Sequence, residues 1–375
     1  MHFQRIKKLN DAANSAMMEG RPYEAYRLKL RAVEEALNTF ENNKDQSWLK
    51  LAERMHTETI WIRQDIKRKE LSEMPPNLRK KVEQDEELDQ SFLVTTQTGL
   101  DDIGGLGRSK QALLEALEWP LRYRKTMEDH GLKRVMKGCL LFGPPGCGKT
   151  MLVEAVAKEL KASLLMASPQ NLMTKWFGSS EKLISKLFRD AREHVPSVIF
   201  IDEVDKILPR STDSSVIPRV ISVFLQEMDG AATHENDKVV VAMGSNEPWK
   251  IKEAILRPGR CDRIIYVPPP DGEARRTIFE IHSRSPRLGT DVNIVKLIDL
   301  TAPIEGWHYS GSDIMNICNT AKLLAMRQEI QEEKPNPLKM RHFLRALDTV
   351  KPQIDPQMLK KYEEWGRKHA SFIDI

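Results

Sequence analysis

The feature that most constrains this chain is a glycine-rich octet at residues 143–150, which reads Gly-Pro-Pro-Gly-Cys-Gly-Lys-Thr. It follows an apolar run and precedes a helical pattern, which is the strand–loop–helix order of a P-loop. Its last two glycines allow consecutive backbone N–H groups to point at phosphate oxygens. Lys149 supplies a cation for the β- and γ-phosphates, and the Thr150 hydroxyl can ligate Mg²⁺. The octet therefore predicts a site for a nucleoside triphosphate.

The composition is that of a charge-rich globular protein, with 40% hydrophobic and 30% charged residues and a net charge of +4. Because the two signs nearly balance, no specific nucleic-acid partner is expected. No apolar run approaches the roughly 20 residues that span a bilayer, and the N-terminus lacks the apolar core of a signal peptide. The four cysteines are scattered, without the paired spacing of zinc or redox sites. A reducing, cytoplasmic location is therefore expected.

Changes in periodicity along the chain predict its domains. Residues 1–74 have helical apolar spacing with two breaks, which predicts a three-helix bundle. Residues 75–97 begin with two prolines and are rich in charge, as in a solvated linker. Residues 98–270 alternate strand and helix patterns, which predicts an α/β domain with helices on both faces of a parallel sheet, and 271–375 are expected to form a small helical domain with a C-terminal helix. The predicted strands are 138–142, 163–167, 197–201, 239–243 and 264–267.

Polar side chains follow two of the predicted strands. Asp202 and Glu203 come directly after the strand at 197–201. After a P-loop, this spacing favours a role for Asp202 beside Mg²⁺ and for Glu203 as the general base that polarises the attacking water. A strand that simply ends at the polar surface is the alternative. Asn246 follows the next strand and could contact that water or the γ-phosphate, although Asn is also common in turns.

Three arginines are closely spaced after these strands, at 257, 260 and 263. Arginines at a subunit edge could reach the γ-phosphate of a neighbouring copy and stabilise the charge that develops there. Exposed arginines are more often only solvated, so spacing alone leaves this role open.

Seven motifs along the chain resemble, in the same order, those of the AAA ATPases, and the resemblance covers roughly residues 92–375. It implies ATP hydrolysis to ADP and phosphate with Mg²⁺ as cofactor, in a homo-hexameric ring with ATP bound between subunits. The motifs are Asp102-Ile103-Gly104-Gly105-Leu106, the P-loop, Ile201-Asp202-Glu203, Met228-Asp229-Gly230, Gly244-Ser245-Asn246, Arg257-Pro258-Gly259-Arg260 and Tyr309-Ser310-Gly311-Ser312-Asp313.

The resemblance also implies roles for single residues. Ile103 and Gly104 would line the adenine pocket, and Gly311-Ser312 would approach the nucleotide from the small helical domain. Asn246 would be the residue called sensor 1, and Arg260 and Arg263 would be arginine fingers. The residues expected to bind ATP are Ile103, Gly104, Pro145, Gly146, Cys147, Gly148, Lys149, Thr150, Met151, Gly311 and Ser312. Those expected to act in catalysis are Lys149, Asp202, Glu203, Asn246, Arg260 and Arg263, with Thr150 and, through water, Asp202 at the metal.

Two aromatic residues lie in a glycine-flanked loop, Lys175-Trp176-Phe177-Gly178, where a role in the core would be unusual. In the family this loop lines the central pore, and its aromatic side chain grips an extended substrate chain by sequence-tolerant apolar contact. Filling a local gap in the core is the alternative for Trp176. The Lys-Trp pair is similar to the branch that contains ESCRT-III-disassembling and microtubule-severing enzymes, also called the meiotic clade.

The N-terminal helices resemble a microtubule-interacting and trafficking (MIT) domain, which receives peptide segments in grooves between its helices. A tetratricopeptide-like hairpin or an unrelated bundle would explain the periodicity nearly as well. The chain lacks the small β-insertion that eukaryotic ESCRT disassembly ATPases carry before their last helices, since only 332–337 separate two helical patterns there. In this respect it resembles archaeal cell-division relatives that act with ESCRT-III-like polymers.

These resemblances imply a motor that extracts ESCRT-III-like filament subunits through its pore, in membrane scission or cell division. The N-terminal domain would bind the filament protein, and the motor would reach the membrane or division site only through that partner. Three alternatives stay open. One is a microtubule-severing enzyme, although residues 77–90 mix both charge signs rather than being basic, and another is a general or proteasome-feeding unfoldase, although the sequence shows no terminal docking tyrosine. The third is a non-catalytic ATP-binding scaffold, although every catalytic residue type is present.

Overall fold

The structure of the protein is a computed structural model. It describes residues 2–43, 91–132, 136–173, 179–210, 217–230, 238–284 and 287–369, together with part of the segment 47–62. The chain divides into two compact units, Met1–Glu86 and Glu87–Ile375, and each has a hydrophobic core of its own.

The first unit is built from helices, as its apolar periodicity predicts. Helix α1 spans His2–Met18, α2 spans Pro22–Asn43, and a third helix, α3, occupies the described positions of 47–62. Gly20 ends α1 with a φ of +73°, a conformation that glycine adopts without a steric cost. Alanines 25, 32 and 36 of α2 are fully buried, so the helices can approach one another closely.

One charged group lies inside this small core. Lys29 is 3% exposed, and its Nζ donates to Oδ1 of Asn10 at 2.5 Å and to the carboxylate of Glu58. A buried ammonium is costly unless its donors are satisfied. Because the three groups belong to α1, α2 and α3, the network favours one register of the bundle.

The second unit is organised around a six-stranded sheet with the order β1-β3-β4-β5-β2-β6. Strands β2 to β6 are parallel to one another, and they match the five predicted strands. The sheet is nevertheless mixed, because β1 pairs antiparallel with β3 at its edge. The strands are β1 Leu93–Val94, β2 Gly138–Phe142, β3 Ser163–Ala167, β4 Ser197–Ile201, β5 Val239–Ser245 and β6 Arg263–Tyr266.

The extra strand lies within the segment 75–97, which the sequence predicts to be a linker. Phe92 is 1% exposed and packs in the core, and its carbonyl accepts the N–H of Met166. The sheet therefore begins before residue 97. A strand of two residues is too short to show any periodicity, so the sequence pattern does not indicate it.

Helices cover both faces of the sheet, as predicted. Alternate residues of β2 belong to separate cores: Leu140 and Phe142 to one, and Cys139 and Leu141 to the other. Successive strand residues point to opposite faces, so each face is covered. The α-helices described in the second unit, including those of its small helical part, are α4 Gly107–Arg122, α5 Arg124–Asp129, α6 Lys149–Glu159, α7 Pro169–Leu172, α8 Ser179–Glu193, α9 Val204–Ile207, α10 Ile217–Gly230, α11 Gly272–Ser283, α12 Ile294–Leu300, α13 Gly311–Glu332, α14 Met340–Thr349 and α15 Pro356–His369.

The last helices form a third core and then return to the sheet. Phe279, Leu297, Ile314 and Phe343 bring α11 to α14 together. Helix α15 is different, because its Tyr362 packs with the residues of the sheet. Residues 333–339 connect α13 directly to α14 with only one isolated bridge, so the β-insertion is absent, as the sequence indicates.

Candidate active site

The octet at 143–150 folds as the sequence predicts, between β2 and the first turn of α6. All five residues of β2 are buried. Three glycines of the loop have positive φ: Gly143 at +150°, Gly146 at +74° and Gly148 at +91°. Residues with a side chain rarely adopt these conformations. The loop can therefore present backbone N–H groups, and the N-terminus of α6, to an anion.

A cleft of about 350 Å³ opens over this loop, and every residue predicted to bind ATP lines it. Ile103 and Gly104 form one wall, and a Cβ on Gly104 would lie 2.8 Å from the Ala274 carbonyl of α11. The N–H of Ser312 donates to the Gly146 carbonyl at 3.0 Å, which brings the start of α13 against the P-loop. The large α/β part and the small helical part thus share one cleft.

Gly146 is where this contact is tightest. A Cβ at this position would lie 2.1 Å from Oγ of Ser312, in a backbone conformation that disfavours side chains. We expect Gly146→Ala to weaken nucleotide binding by at least about tenfold, because the loop and the start of α13 must separate. Titration with a fluorescent ADP analogue measures this. Gly131→Ala is the control, since that glycine also has a positive φ but has open space around it; an equal loss there would contradict the prediction.

The polar groups at the strand ends meet beside the loop. The Thr150 hydroxyl donates to Oδ2 of Asp202 at 2.9 Å, and the Glu203 N–H donates to Oδ1 of Asp202 at 2.9 Å. Glu203 itself has a φ of +50°, a strained conformation of the kind that gathers at functional sites. Its carboxylate accepts from Nζ of Lys206 at 2.6 Å. The structure thus brings together the predicted metal-binding pair and the predicted base.

Thr150 and Asp202 fit the predicted magnesium site. Both offer oxygen atoms, which Mg²⁺ prefers, and they already lie within hydrogen-bond distance of each other. Among the residues that the structure describes, no group of three or more His, Cys, Asp or Glu side chains could hold a metal ion. An ion here would therefore complete its shell with water and phosphate oxygens, as Mg²⁺ commonly does beside nucleotides.

Lys149 lies inside the loop that it follows. Its side chain is largely buried, and Nζ donates to the carbonyls of Gly143 and Pro144, both at 2.9 Å. Burial lowers the pKa of the ammonium, and nearby groups, including Asp202, oppose that shift. A bound phosphate would favour the charged form further. The position suits a cation held ready for an anionic ligand.

Asn246 follows β5 into the same cleft. Its N–H donates to Oδ1 of Asp205 at 3.3 Å, and the Ser245 hydroxyl donates to the same oxygen at 2.5 Å. Its side-chain Oδ1 is buried and finds no hydrogen-bond partner among the described residues. Buried polar atoms are nearly always satisfied, so this oxygen is suited to a water or ligand in the cleft.

The two predicted arginine fingers do not line this cleft. Arg260 forms a fork with Asp229, with Nε–Oδ1 at 2.8 Å and Nη2–Oδ2 at 2.7 Å, and this pairing raises its pKa. The Arg263 guanidinium lies over the ring of Trp119, 5.9 Å from the centroid. The predicted pore residues 175–177 lie outside the described residues.

The structure also adds residues to the cleft that the sequence did not indicate. Ile278 and His282 of α11 and Met315 of α13 line it, together with Pro268 and Pro270. Burial, followed by the charge of Lys322, lowers the pKa of His282, so its neutral form is favoured. The spacing of four between Ile278 and His282 places them on one helix face. Nothing in the sequence shows which surface that face meets.

Comparison with known proteins agrees with these motifs. The family described as ATPase family associated with various cellular activities (AAA) matches residues 139–269, and the Vps4 C terminal oligomerisation domain matches 324–369. The cell division cycle protein 48 homolog of Archaeoglobus fulgidus is 44% identical over 277 residues, which cover 70% of this chain and 37% of that protein. Protein SAV of Sulfolobus acidocaldarius is 38% identical over 309 residues, which cover 75% and 39% respectively. The chain therefore spans less than two thirds of these relatives' length.

Among solved structures, the FIGL-1 AAA domain in complex with ADP matches with a TM-score of 0.64 and 31% identity. The match covers 76% of this chain and 95% of that domain. It thus includes almost the whole of a nucleotide-binding AAA domain at an identity that shows kinship as well as fold. On this evidence the chain belongs to the AAA ATPase family and carries a C-terminal domain of the Vps4 type.

Proposed function

We propose that this chain is an ATP-hydrolysing motor that works as a homo-hexamer, with each ATP bound between two copies. The charge of the cleft carries the proposal. Among the described residues, Lys149 is the only Lys or Arg that lines it. Transfer of a γ-phosphoryl group is usually assisted by a further cation, commonly an arginine supplied by a partner. Arg260 and Arg263 would serve the cleft of the neighbouring copy.

Within each cleft the chain's own groups can divide the work. Lys149 and the N-terminus of α6 bind phosphate, and Mg²⁺ held by Thr150 and Asp202 would neutralise charge on the β- and γ-phosphates. Glu203 takes a proton from the attacking water. The unpaired Oδ1 of Asn246 accepts a hydrogen bond from the same water and so orients it.

A shared pocket predicts that hydrolysis depends on assembly. We expect ATP turnover per chain to rise steeply with protein concentration and then to level off as copies associate, because an isolated copy lacks the second cation. Steady-state phosphate release measured over a concentration series, together with light scattering, tests this. Full turnover by a chain that stays monomeric at every concentration would contradict the proposal.

The substrate proposed is an ESCRT-III-like filament subunit, drawn through the central pore during membrane scission or cell division. The N-terminal unit would act as an MIT-like domain that binds the subunit's tail. On α2, Tyr23 and Leu37 are 56% and 39% exposed, and half-buried Leu30 lies between them at intervals of seven residues. Such a stripe on one helix face suits an amphipathic peptide helix.

A labelled peptide from the C-terminal tail of an ESCRT-III-like subunit should therefore bind the full chain saturably. Leu37→Glu should weaken this binding by at least about tenfold, because it places a charge in an apolar contact. Asn38→Glu is the control, since it adds the same charge at the next exposed position, about 100° around the helix. Absence of binding at millimolar peptide would remove the partner. Tighter binding of an acidic tubulin tail would favour the severing enzyme instead.

The threading step is assigned to Lys175, Trp176 and Phe177. Substitution Trp176→Ala should lower filament disassembly far more than ATP turnover, because an aromatic ring grips a chain mainly through its apolar area. The ratio of the two rates in the same sample is the measurement, and unchanged disassembly would contradict the assignment.

Among the described residues, no helix is long and apolar enough to cross a bilayer. Recruitment to a membrane or division site through the filament protein is part of the proposal.

A further inference from the structure

The C-terminal helix α15 contacts the sheet through a cluster of aromatic rings. Tyr362 is 1% exposed, and its ring centroid lies 5.2 Å from that of Trp249 and 6.2 Å from that of Tyr266. Three residues further on, Trp365 packs edge-to-face on Phe142 at 4.8 Å. Rings in this arrangement bury large apolar areas and hold one another at defined angles. Helix α15 is thus seated firmly on the sheet.

The cluster meets the segments of chain that lead into the nucleotide cleft. Phe142 is the last residue before the P-loop, Tyr266 lies two residues before Pro268 of the cleft wall, and Trp249 lies three residues after Asn246. The hydroxyl of Tyr362 reaches furthest, because it donates a hydrogen bond to the backbone carbonyl of Asn246. A shift of α15 would therefore move the segments that border the cleft.

The backbone of Asn246 is consequently held from two sides. Its N–H donates to the carboxylate of Asp205, which is itself 4% exposed, and its carbonyl accepts from Tyr362. Its side-chain oxygen is buried and has no hydrogen-bond partner among the described residues. These two contacts fix the backbone from which the Asn246 amide projects into the cleft.

We propose that Tyr362 is a positioning residue for ATP hydrolysis. Because of its hydrogen bond to the Asn246 carbonyl, the position of the Asn246 amide in the cleft depends on how α15 packs against the sheet. The inference rests on the proposed function, in which Asn246 orients the attacking water. It goes further, because α15 lies inside the segment that matches the oligomerisation domain. The part of the chain associated with assembly would thereby act directly on the hydrolytic cleft.

The Tyr362 hydroxyl is suited to act as a hydrogen-bond donor at all relevant pH values. Burial raises the pKa of the Tyr362 phenol, so the hydroxyl stays protonated throughout the working pH range. The contact also has a clean test, because Tyr362→Phe removes one oxygen and keeps the ring in its cluster. Tyr266→Phe is the matched control: it removes a hydroxyl from a neighbouring ring and leaves the bond to Asn246 in place.

The experiment uses the full chain at concentrations where turnover per chain has levelled off. We expect Tyr362→Phe to lower kcat about tenfold while KM, and the Kd for a fluorescent ADP analogue, stay within about twofold. In an Asn246→Ala background the same substitution should have little further effect on kcat, because both substitutions act through the Asn246 amide. Tyr266→Phe should leave kcat within about twofold.

Three results would overturn the inference: an unchanged kcat, an equal fall in kcat in the Asn246→Ala background, or a loss that disappears when more protein is added. A second readout does not need turnover. In the ADP-bound chain, Tyr362→Phe should speed amide hydrogen exchange at 245–250, whereas Tyr266→Phe should not. If the wild-type chain hydrolyses no ATP, the proposed function fails, and unchanged exchange at 245–250 would refute the positioning role separately.

Discussion

Replacement of Glu203 by Gln is expected to reduce ATP turnover by about 10²–10⁴-fold while ATP still binds. The amide preserves the size of the side chain, but it cannot accept a proton from the attacking water. Lys149, Thr150 and Asp202 are unchanged in this variant, so the groups that hold the phosphates remain. Steady-state phosphate release and equilibrium binding of labelled ATP, measured on the same preparation, separate the two effects.

The matched control is Glu247→Gln. Glu247 also pairs with a lysine three residues away, at 2.7 Å from Lys250, but its side chain is 40% exposed and it does not line the cleft. Its turnover should stay within about threefold of the wild type, as expected for an exposed ion pair. Phosphate release by Glu203→Gln at the wild-type rate would refute the assignment of the base.

Loss of Arg260 is expected to be as severe. In the assembled protein, Arg260→Ala should lower kcat by about 10³-fold or more, since arginine fingers contribute effects of that size. Nucleotide affinity should change far less, because the residue does not line the cleft of its own chain. Arg287→Ala is the control, since Arg287 forms a similar ion pair, at 2.6 Å from Glu329, within the small helical part.

Mixing the two inactive variants tests whether the pocket is shared. When Arg260→Ala chains assemble with Glu203→Gln chains, some pockets combine the intact Glu203 of the first with the intact Arg260 of the second. Turnover of the mixture should therefore exceed that of either variant alone. If Arg260 acted on its own cleft, no pocket would be complete, and the mixture would stay inactive.

Much of the cleft could be predicted because its chemistry is local. The loop needs glycines where φ is positive, a lysine and a hydroxyl must follow at once, and the carboxylates must end a buried strand. The five parallel strands were recognisable for a similar reason, since strands covered on both faces are continuous apolar runs. The antiparallel strand Leu93–Val94 could not be predicted, because two residues show no hydrophobic periodicity.

Other parts of the site depend on elements that are distant in the chain. Ile278 and His282 belong to an ordinary amphipathic helix, and they reach the cleft only because Gly104 allows α11 to approach. The pairing of Arg260 with Asp229 joins two motifs that are separated by about thirty residues. Neither spacing nor residue type indicates such contacts, since each arises from the packing of whole elements.

The sequence alone therefore determined that this chain carries a nucleoside triphosphate site at the ends of parallel strands, because residues adjacent in the chain create both the phosphate loop and the carboxylates. Only the tertiary structure decided that α15 leaves the small helical core and places the Tyr362 hydroxyl on the carbonyl of Asn246. A hydrogen bond between residues 116 positions apart has no local signature. It exists because apolar burial brings α15 back to the sheet, and burial acts without regard to distance along the chain.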